Sequence, residues 1–261
     1  MFSTMKNAIY AFQSLILLII SGGLFISCGD DKDEPSAGTS RKLLSITTIG
    51  DSYTNIEFAN PKWSNGRLVS FQKGNDADDV YSINFSGSNA AISYGTGHEP
   101  TLVALNNDGY AVSASFGYEF TYNSAGQMTY WKSTSSSSSS QYCDISYDSN
   151  GDISKLEYYM SSYDGKKTAI FAYTDSNIST PIPNKGGIML MSDWNMMWDW
   201  EYYYWFGIYG KATAHLPVKV GDSTFSWTLD GDGYPIECVV VKKDNGYYPT
   251  TYTKTYKFTW E

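Results

Sequence analysis

Along most of the chain, apolar or aromatic residues take every second position. Val80-Tyr81-Ser82-Ile83-Asn84-Phe85, Phe225-Ser226-Trp227-Thr228-Leu229 and Tyr256-Lys257-Phe258-Thr259-Trp260 show the pattern, and a period of two gathers those side chains on one face of a strand. Between such runs a turn recurs. Phe120 to Met128, centred on Asn123-Ser124-Ala125-Gly126, reappears in outline as Ile145 to Ile153 around Asp148-Ser149-Asn150-Gly151, and again as Trp227 to Ile236 around Asp230-Gly231-Asp232-Gly233. Shorter relatives stand at Asn65-Gly66-Arg67-Leu68 and Asn107-Asp108-Gly109-Tyr110. The Asn or Asp bonds nearby backbone to open the turn and the Gly takes the positive φ that closes it, so each copy predicts a hairpin. The expected fold is mostly β, an antiparallel curled sheet or barrel built of hairpin repeats.

Two stretches break this rhythm. Ser135 to Ser140 has no side chain able to build a core and predicts a mobile hairpin tip, with hydroxyls that would also suit glycan attachment. Ile188 to Phe206 lies between Pro181-Ile182-Pro183 with Gly186-Gly187 on one side and Gly207 with Gly210 on the other. There Trp194, Met197, Trp198, Trp205 and Tyr209 fall near helical spacing and predict a single aromatic-rich helix. Asp193, Asn195, Asp199 and Glu201 make it a poor membrane span.

The N-terminus follows a different logic. Lys6 precedes an apolar run from Leu15 to Ile26, interrupted by Gly22-Gly23 and ending at Ser27-Cys28, which is the layout of a secretory signal cut before a cysteine. It resembles a bacterial lipoprotein signal, and that resemblance implies that Cys28 becomes the lipidated first residue; an uncleaved signal anchor is the alternative. Gly29 to Ser40 is acidic, then rich in Pro, Ser and Gly, and reads as a disordered tether. Its twelve residues would reach roughly 20 Å. The run Asp30-Asp31-Lys32-Asp33-Glu34 also resembles the surface-export signal of Bacteroidota lipoproteins, which implies an outer-membrane lipoprotein facing the extracellular side; as an ordinary charge run it would leave the protein facing the periplasm. The expected organisation is a signal peptide over 1–27, the lipidated cysteine and acidic tether over 28–40, and one β domain over 41–261.

Composition supports the β reading, with 23 Tyr, 8 Trp and 12 Phe, residues that fit pleated strands. The formal net charge of −9, one unit more negative once Lys6 is removed, excludes a nucleic-acid partner. Lys166-Lys167 and Lys242-Lys243 are isolated basic pairs, and phosphate binding needs basic clusters. With Cys28 committed to lipid, Cys143 and Cys238 either pair as a disulfide in an oxidising envelope or remain separate buried thiols.

The hairpins Phe120 to Met128 and Ile145 to Leu156, with the segment Gly207 to Pro217, are similar to those of a Bacteroidota lipoprotein domain family of unknown function with a porin-like β fold. The likeness runs from roughly residue 43 to the C-terminus. It implies a curled or closed sheet with the aromatic helix against or inside it, and it implies no activity and no functional residues. A membrane barrel would alternate in the opposite sense, and a lipidated tether is redundant for an embedded protein, so no pore is expected.

Candidate chemistry is sparse. Gly50-Asp51-Ser52 resembles the first block of Gly-Asp-Ser hydrolases, but the two histidines, His98 and His215, lack an aspartate three residues upstream. Asp148, Asn150 and Asp152 alternate like calcium ligands, yet Ile153 and Tyr159 stand where the calcium loop needs Gly and Glu. No metal site and no cofactor is predicted. The aromatic helix is the best candidate, with Trp194, Trp198, Trp200 and Trp205 as stacking faces for sugar rings or as core. The leading expectation is a non-enzymatic binding or assembly module, bound to the membrane through Cys28 and contacting an extracellular glycan or an envelope protein. The alternatives are a glycoside hydrolase using Asp193, Asp199 or Glu201, and a structural component of a surface complex.

Overall fold

In the computed structural model, residues 41–50, 54–95, 97–134, 141–159, 165–191, 193, 201–244 and 250–261 are described. The first strands are Leu43–Ile49 (β1), Thr54–Ser64 (β2), Arg67–Gln72 (β3), Val80–Ser86 (β4), Asn89–Tyr94 (β5) and Thr101–Leu105 (β6). Ala111–Ala114 (β7), Tyr118–Tyr122 (β8), Met128–Ser133 (β9), Tyr142–Tyr147 (β10), Ile153–Tyr159 (β11) and Lys166–Ala172 (β12) continue the meander. A long connection then carries Ile182–Pro183 (β13), the helix Glu201–Trp205 (α1) and His215–Leu216 (β14) before Lys219–Val220 (β15), Ser223–Leu229 (β16), Pro235–Asp244 (β17) and Thr250–Trp260 (β18). Sixteen of these strands form a closed antiparallel barrel, and β13 pairs with β14 as a separate ribbon. Closure comes from β18 against β1, from Leu43↔Trp260 to Ile49↔Thr255.

The alternation read from the sequence decides which face is which. Cys143 and Ile145 of β10, Phe225 of β16 and Tyr256 and Phe258 of β18 are buried, while Thr224, Ser226, Lys257 and Thr259 between them are exposed. On the outer wall, Glu119 and Lys132 sit directly opposite each other and pair at 2.8 Å, and Glu157 takes Lys155 and Lys166. The inside is therefore apolar and the outside mixed, with these ion pairs beside exposed Leu102, Val112 and Ile170, and a large apolar core on the inner face is not the alternation of a water-filled lipid-facing barrel.

A barrel of this strand number is too wide for its own inward side chains to fill, and the connection between β12 and β15 supplies the rest. Ile188, Met189, Leu190, Met191, Tyr203, Phe206, Ile208 and Tyr209 are buried in the same core as the strand residues. Phe206 meets Phe71 of β3 at 5.4 Å and Tyr209 meets Phe120 of β8 at 5.0 Å between ring centroids. This corrects the expected helix over Ile188 to Phe206. Among the described residues only Glu201–Trp205 is helical, and Ile188 to Leu190 is irregular. Asn184 explains the difference: its side chain accepts from the Ile188 N–H at 2.8 Å and donates to the Ile188 carbonyl at 3.0 Å, holding that backbone out of a helical turn. Four consecutive buried residues surrounded by wall carry no one-sided pattern from which a helix could be read.

One end of the barrel is built from a repeated turn. In Asn106–Tyr110, Asn123–Gln127, Asp148–Asp152 and Asp230–Tyr234 the first residue's Oδ1 accepts the N–H groups of the third and fifth residues. Its backbone N–H reaches the fifth carbonyl, and the fourth residue is a Gly with φ between 81° and 84°. Each turn follows a register shift in its hairpin. The turn expected at Asn107 starts one residue earlier, at Asn106, and is a full copy. Asn65-Gly66 is instead a two-residue turn, with φ of 50° and 76°.

Candidate functional site

Segment 207–215 lies across these turns as a cap. The Ala111 N–H donates to Ile208 O at 2.7 Å, the Lys211 N–H to Gly126 O at 2.8 Å and the Ala214 N–H to Gly151 O at 3.3 Å. Gly210, at φ +83°, approaches the Gly126 carbonyl so closely that a Cβ would overlap it. Asp152, 1% exposed, anchors the far side. Its Oδ1 accepts from the Thr213 hydroxyl at 2.9 Å and the His215 N–H at 2.7 Å, and its Oδ2 lies 2.7 Å from His215 Nδ1. Asp148 spends its Oδ1 on its own turn, so Asp148, Asn150 and Asp152 do not converge as calcium ligands. Among the described residues no group of three or more His, Cys, Asp or Glu is arranged to hold a metal. His215 belongs to this cap, whereas Gly50 follows β1 at the opposite end; Asp51 and Ser52 lie outside the described residues.

Beside the cap, where the chain enters β1 and leaves β18, the barrel mouth holds a cavity of about 470 Å³. Phe58, Trp63, Leu68, Tyr204, Trp205 and Trp260 line it, with Arg41 and Lys42 at its edge. Each ring is set by a different element. Trp63 stands at the end of β2, 37% exposed. Trp260 ends β18 and donates its indole N–H to Pro235 O at 2.6 Å. Trp205 closes α1 and makes edge contacts with Phe58 at 5.2 Å and Phe71 at 5.3 Å. Gly186, at φ +106°, leaves room for the Trp260 ring that a Cβ would invade.

Ion pairs fix the rim. Arg41 pairs with Asp230 at 2.7 Å and with Asp232, lies 5.3 Å from the Tyr234 ring centre, and donates its backbone N–H to the Tyr234 hydroxyl. Hydrogen bonds from the Tyr234 and Asp232 N–H groups, aided by Arg41, hold the Asp230 carboxyl below its ordinary range. Lys42 meets Glu261 at 3.2 Å. Behind the cavity, burial pushes the hydroxyls of Tyr202, Tyr203, Tyr204 and Tyr209 well above the ordinary phenol range, keeping these phenols neutral.

Of the four candidate tryptophans, Trp205 reaches this cavity, half-buried, and Trp194, Trp198 and Trp200 lie outside the described residues, as does Cys28. Asp193 accepts the Tyr256 hydroxyl and lies 3.9 Å from Lys254, Glu201 is buried in the first turn of α1, and Asp199 is outside the described residues. Cys143 on β10 and Cys238 on β17 are free, buried thiols separated by β11, β12, β15 and β16, rather than a disulfide. Burial raises both thiol pKa values. The sequence reading missed Trp63, Trp260 and Arg41 as site residues. Trp63 carried a signal, an aromatic among the polar residues Lys62, Ser64 and Asn65 at a hairpin tip; the convergence of the other two follows only from closure of β18 on β1.

No family model and no curated protein matches the sequence. Among solved structures, the barrel is similar to a porin-like protein from Bacteroides uniformis at 16% identity, covering 85% of this chain and 98% of that one, with a TM-score of 0.67. It is also similar to a porin-like protein from Bacteroides vulgatus at 11% identity, covering 85% of this chain and 99% of that one, with a TM-score of 0.57. At these identities the likeness defines a class of fold, a porin-like antiparallel barrel.

Proposed function

We propose that this protein is a non-enzymatic envelope lipoprotein, tethered to the outer membrane through Cys28 on the extracellular side, that binds a glycan at its tryptophan-lined mouth. The observation that carries the reading is the convergence of Trp63, Trp205 and Trp260 on one open cavity. Flat indole faces suit the apolar faces of sugar rings, and the paired charges of Arg41, Asp230 and Lys42 at its edge supply donors and acceptors for hydroxyls. The apolar core inside the barrel and the ion pairs on its outer wall support a barrel held in water beside the membrane, and the acidic stretch after Cys28 supports a short spacer. Titration of the detergent-solubilised full chain against envelope and dietary polysaccharides, read by tryptophan fluorescence, tests the site. Binding weakened about tenfold by Trp63→Ala is expected, and flat titrations across the panel would remove the sugar reading. A Cys28→Ala chain that is still processed and retained in the membrane fraction would remove the anchor, and proteinase added to intact cells tests which side it faces.

A further inference from the structure

The opposite mouth of the barrel carries a second, chemically different recess. It measures about 370 Å³ and is lined by residues of β2, the β3–β4 connection, β4 and the end of β5, among them Asn55, Glu57, Lys73, Asp79, Tyr94 and His98. Its wall is a cross-strand stack. Tyr81 and Tyr94 are register partners on β4 and β5 with rings 6.0 Å apart, and His98 continues the row, 5.0 Å from Tyr94 and tilted by only 28°. The imidazole is the exposed outer end of that row. Lys73 Nζ sits about 6 Å from the ring centres of both Tyr81 and Tyr202, which places its charge over aromatic faces.

The recess is held in shape before any ligand arrives. The Gly74 N–H donates to Ile56 O at 2.7 Å and the Lys73 N–H to Asp79 O at 2.9 Å, tying the β3–β4 connection to β2 and to its own return. Gly74, at φ +92°, takes the left-handed backbone that favours glycine and lies beside the Asp79 carboxylate. Glu57 is oriented by the Thr48 hydroxyl, which donates to its Oε1 at 3.0 Å.

We infer that this recess is a binding site for a neutral, hydroxyl-rich ring such as one pyranose unit of a glycan. The chemistry selects that class. A small anion would face Glu57 and Asp79, and a small cation would face Lys73. A neutral polyol meets acceptors in the two carboxylates, donors in Lys73, both in the Asn55 amide, and a planar ring row to stack on. The volume lies near the lower bound of about 300 Å³ for small-molecule sites, which suits one or two sugar rings. The site is independent of the tryptophan mouth: it shares no lining residue with it, and the two lie at opposite ends of the barrel.

The test is calorimetric titration of the detergent-solubilised full chain with maltose, cellobiose and lactose, and with digalacturonate as the charged counterpart. His98→Ala and Asn55→Ala alter groups at the recess without removing a core side chain, and Trp63→Ala serves as the control at the other mouth. The expected result is saturable binding of at least one neutral disaccharide, weakened about fivefold or more by His98→Ala and by Asn55→Ala and changed less than about twofold by Trp63→Ala. Absence of saturation by all three neutral sugars overturns the inference, as does digalacturonate binding as tightly as the best of them. Neutral-sugar binding lost in Trp63→Ala but intact in His98→Ala overturns it too, while leaving the glycan reading of the tryptophan mouth standing.

Discussion

The two ends of this barrel share one wall and differ in how that wall is turned around. At the capped end four hairpins use the same five-residue turn, opened by an Asn or Asp side chain and closed by a Gly. At the other end the fully described connections, residues 73–79, 115–117 and 221–222, differ in length and share no such turn. The repeated turn leaves its fifth position free to vary, and that position meets the chain laid over it. Gln127 bridges to Gly210 and donates to Gly151 O, Asp152 takes Thr213 and His215, and Tyr234 takes Arg41. A local motif thus supplies the geometry, and in three of the four copies the variable fifth residue adds a tertiary contact to those made by the turn backbone, as from Gly126 O and Gly151 O.

That contrast makes a quantitative claim about two aspartates. Asp152→Ala would remove the buried acceptor of the Thr213 hydroxyl and the His215 backbone N–H together with the partner of His215 Nδ1, a loss of about 3–5 kcal/mol. Asp79→Ala at the exposed loop end should stay within about 0.5 kcal/mol. Urea unfolding of the two variants measures the difference, and similar midpoints would show that the cap adds little to the stability of the barrel.

A smaller contrast separates two glycines, both with positive φ. Gly210→Ala forces an unfavourable backbone conformation and also drives a methyl into the Gly126 carbonyl, whereas the methyl of Gly66→Ala meets nothing within 4 Å. The first should cost about 3 kcal/mol and the second about 1–2 kcal/mol. Equal unfolding midpoints would mean that the cap moves aside without cost.

The same division explains what could be read in the residues beforehand. The alternating strands and three of the four turns were legible because both are short-range devices, an Asx side chain bonding its own loop and a period of two. The fourth was misplaced by one residue because Asn106-Asn107-Asp108 offers three adjacent openers. The helix expected over Ile188 to Phe206 does not begin at Ile188, because the enclosed run Ile188 to Met191 is apolar on all sides and carries no signal that distinguishes helix from irregular chain. The mouth is only partly legible: Trp205 stands in an aromatic run and Trp63 at a hairpin tip, while Trp260 joins them through closure of β18 on β1, across nearly the whole chain. The sequence shows the turn that Asp152 closes and not His215, its partner from 63 positions away.

The smallest expected effect concerns the turn whose first residue does two jobs. Asp230 accepts the Asp232 and Tyr234 N–H groups and also pairs with Arg41. Asn123 occupies the same position in its own turn with an amide oxygen, accepting the corresponding N–H groups. Asp230→Asn should therefore keep the turn and lose only the charge. The Asp230 carboxyl is held below its ordinary range by those N–H donors and by Arg41, so its ionised form stabilises the folded chain above the unfolded-state pKa of about 3.9, and that contribution disappears as pH falls through the lower folded-state value. The urea midpoint of the Asn variant should lie slightly below that of the parent at pH 7, and the two should converge below about pH 4. A gap that persists in acid would mean that the carboxylate serves the turn itself better than an amide does, and that the clamp on Arg41 is incidental to how the chain enters the barrel.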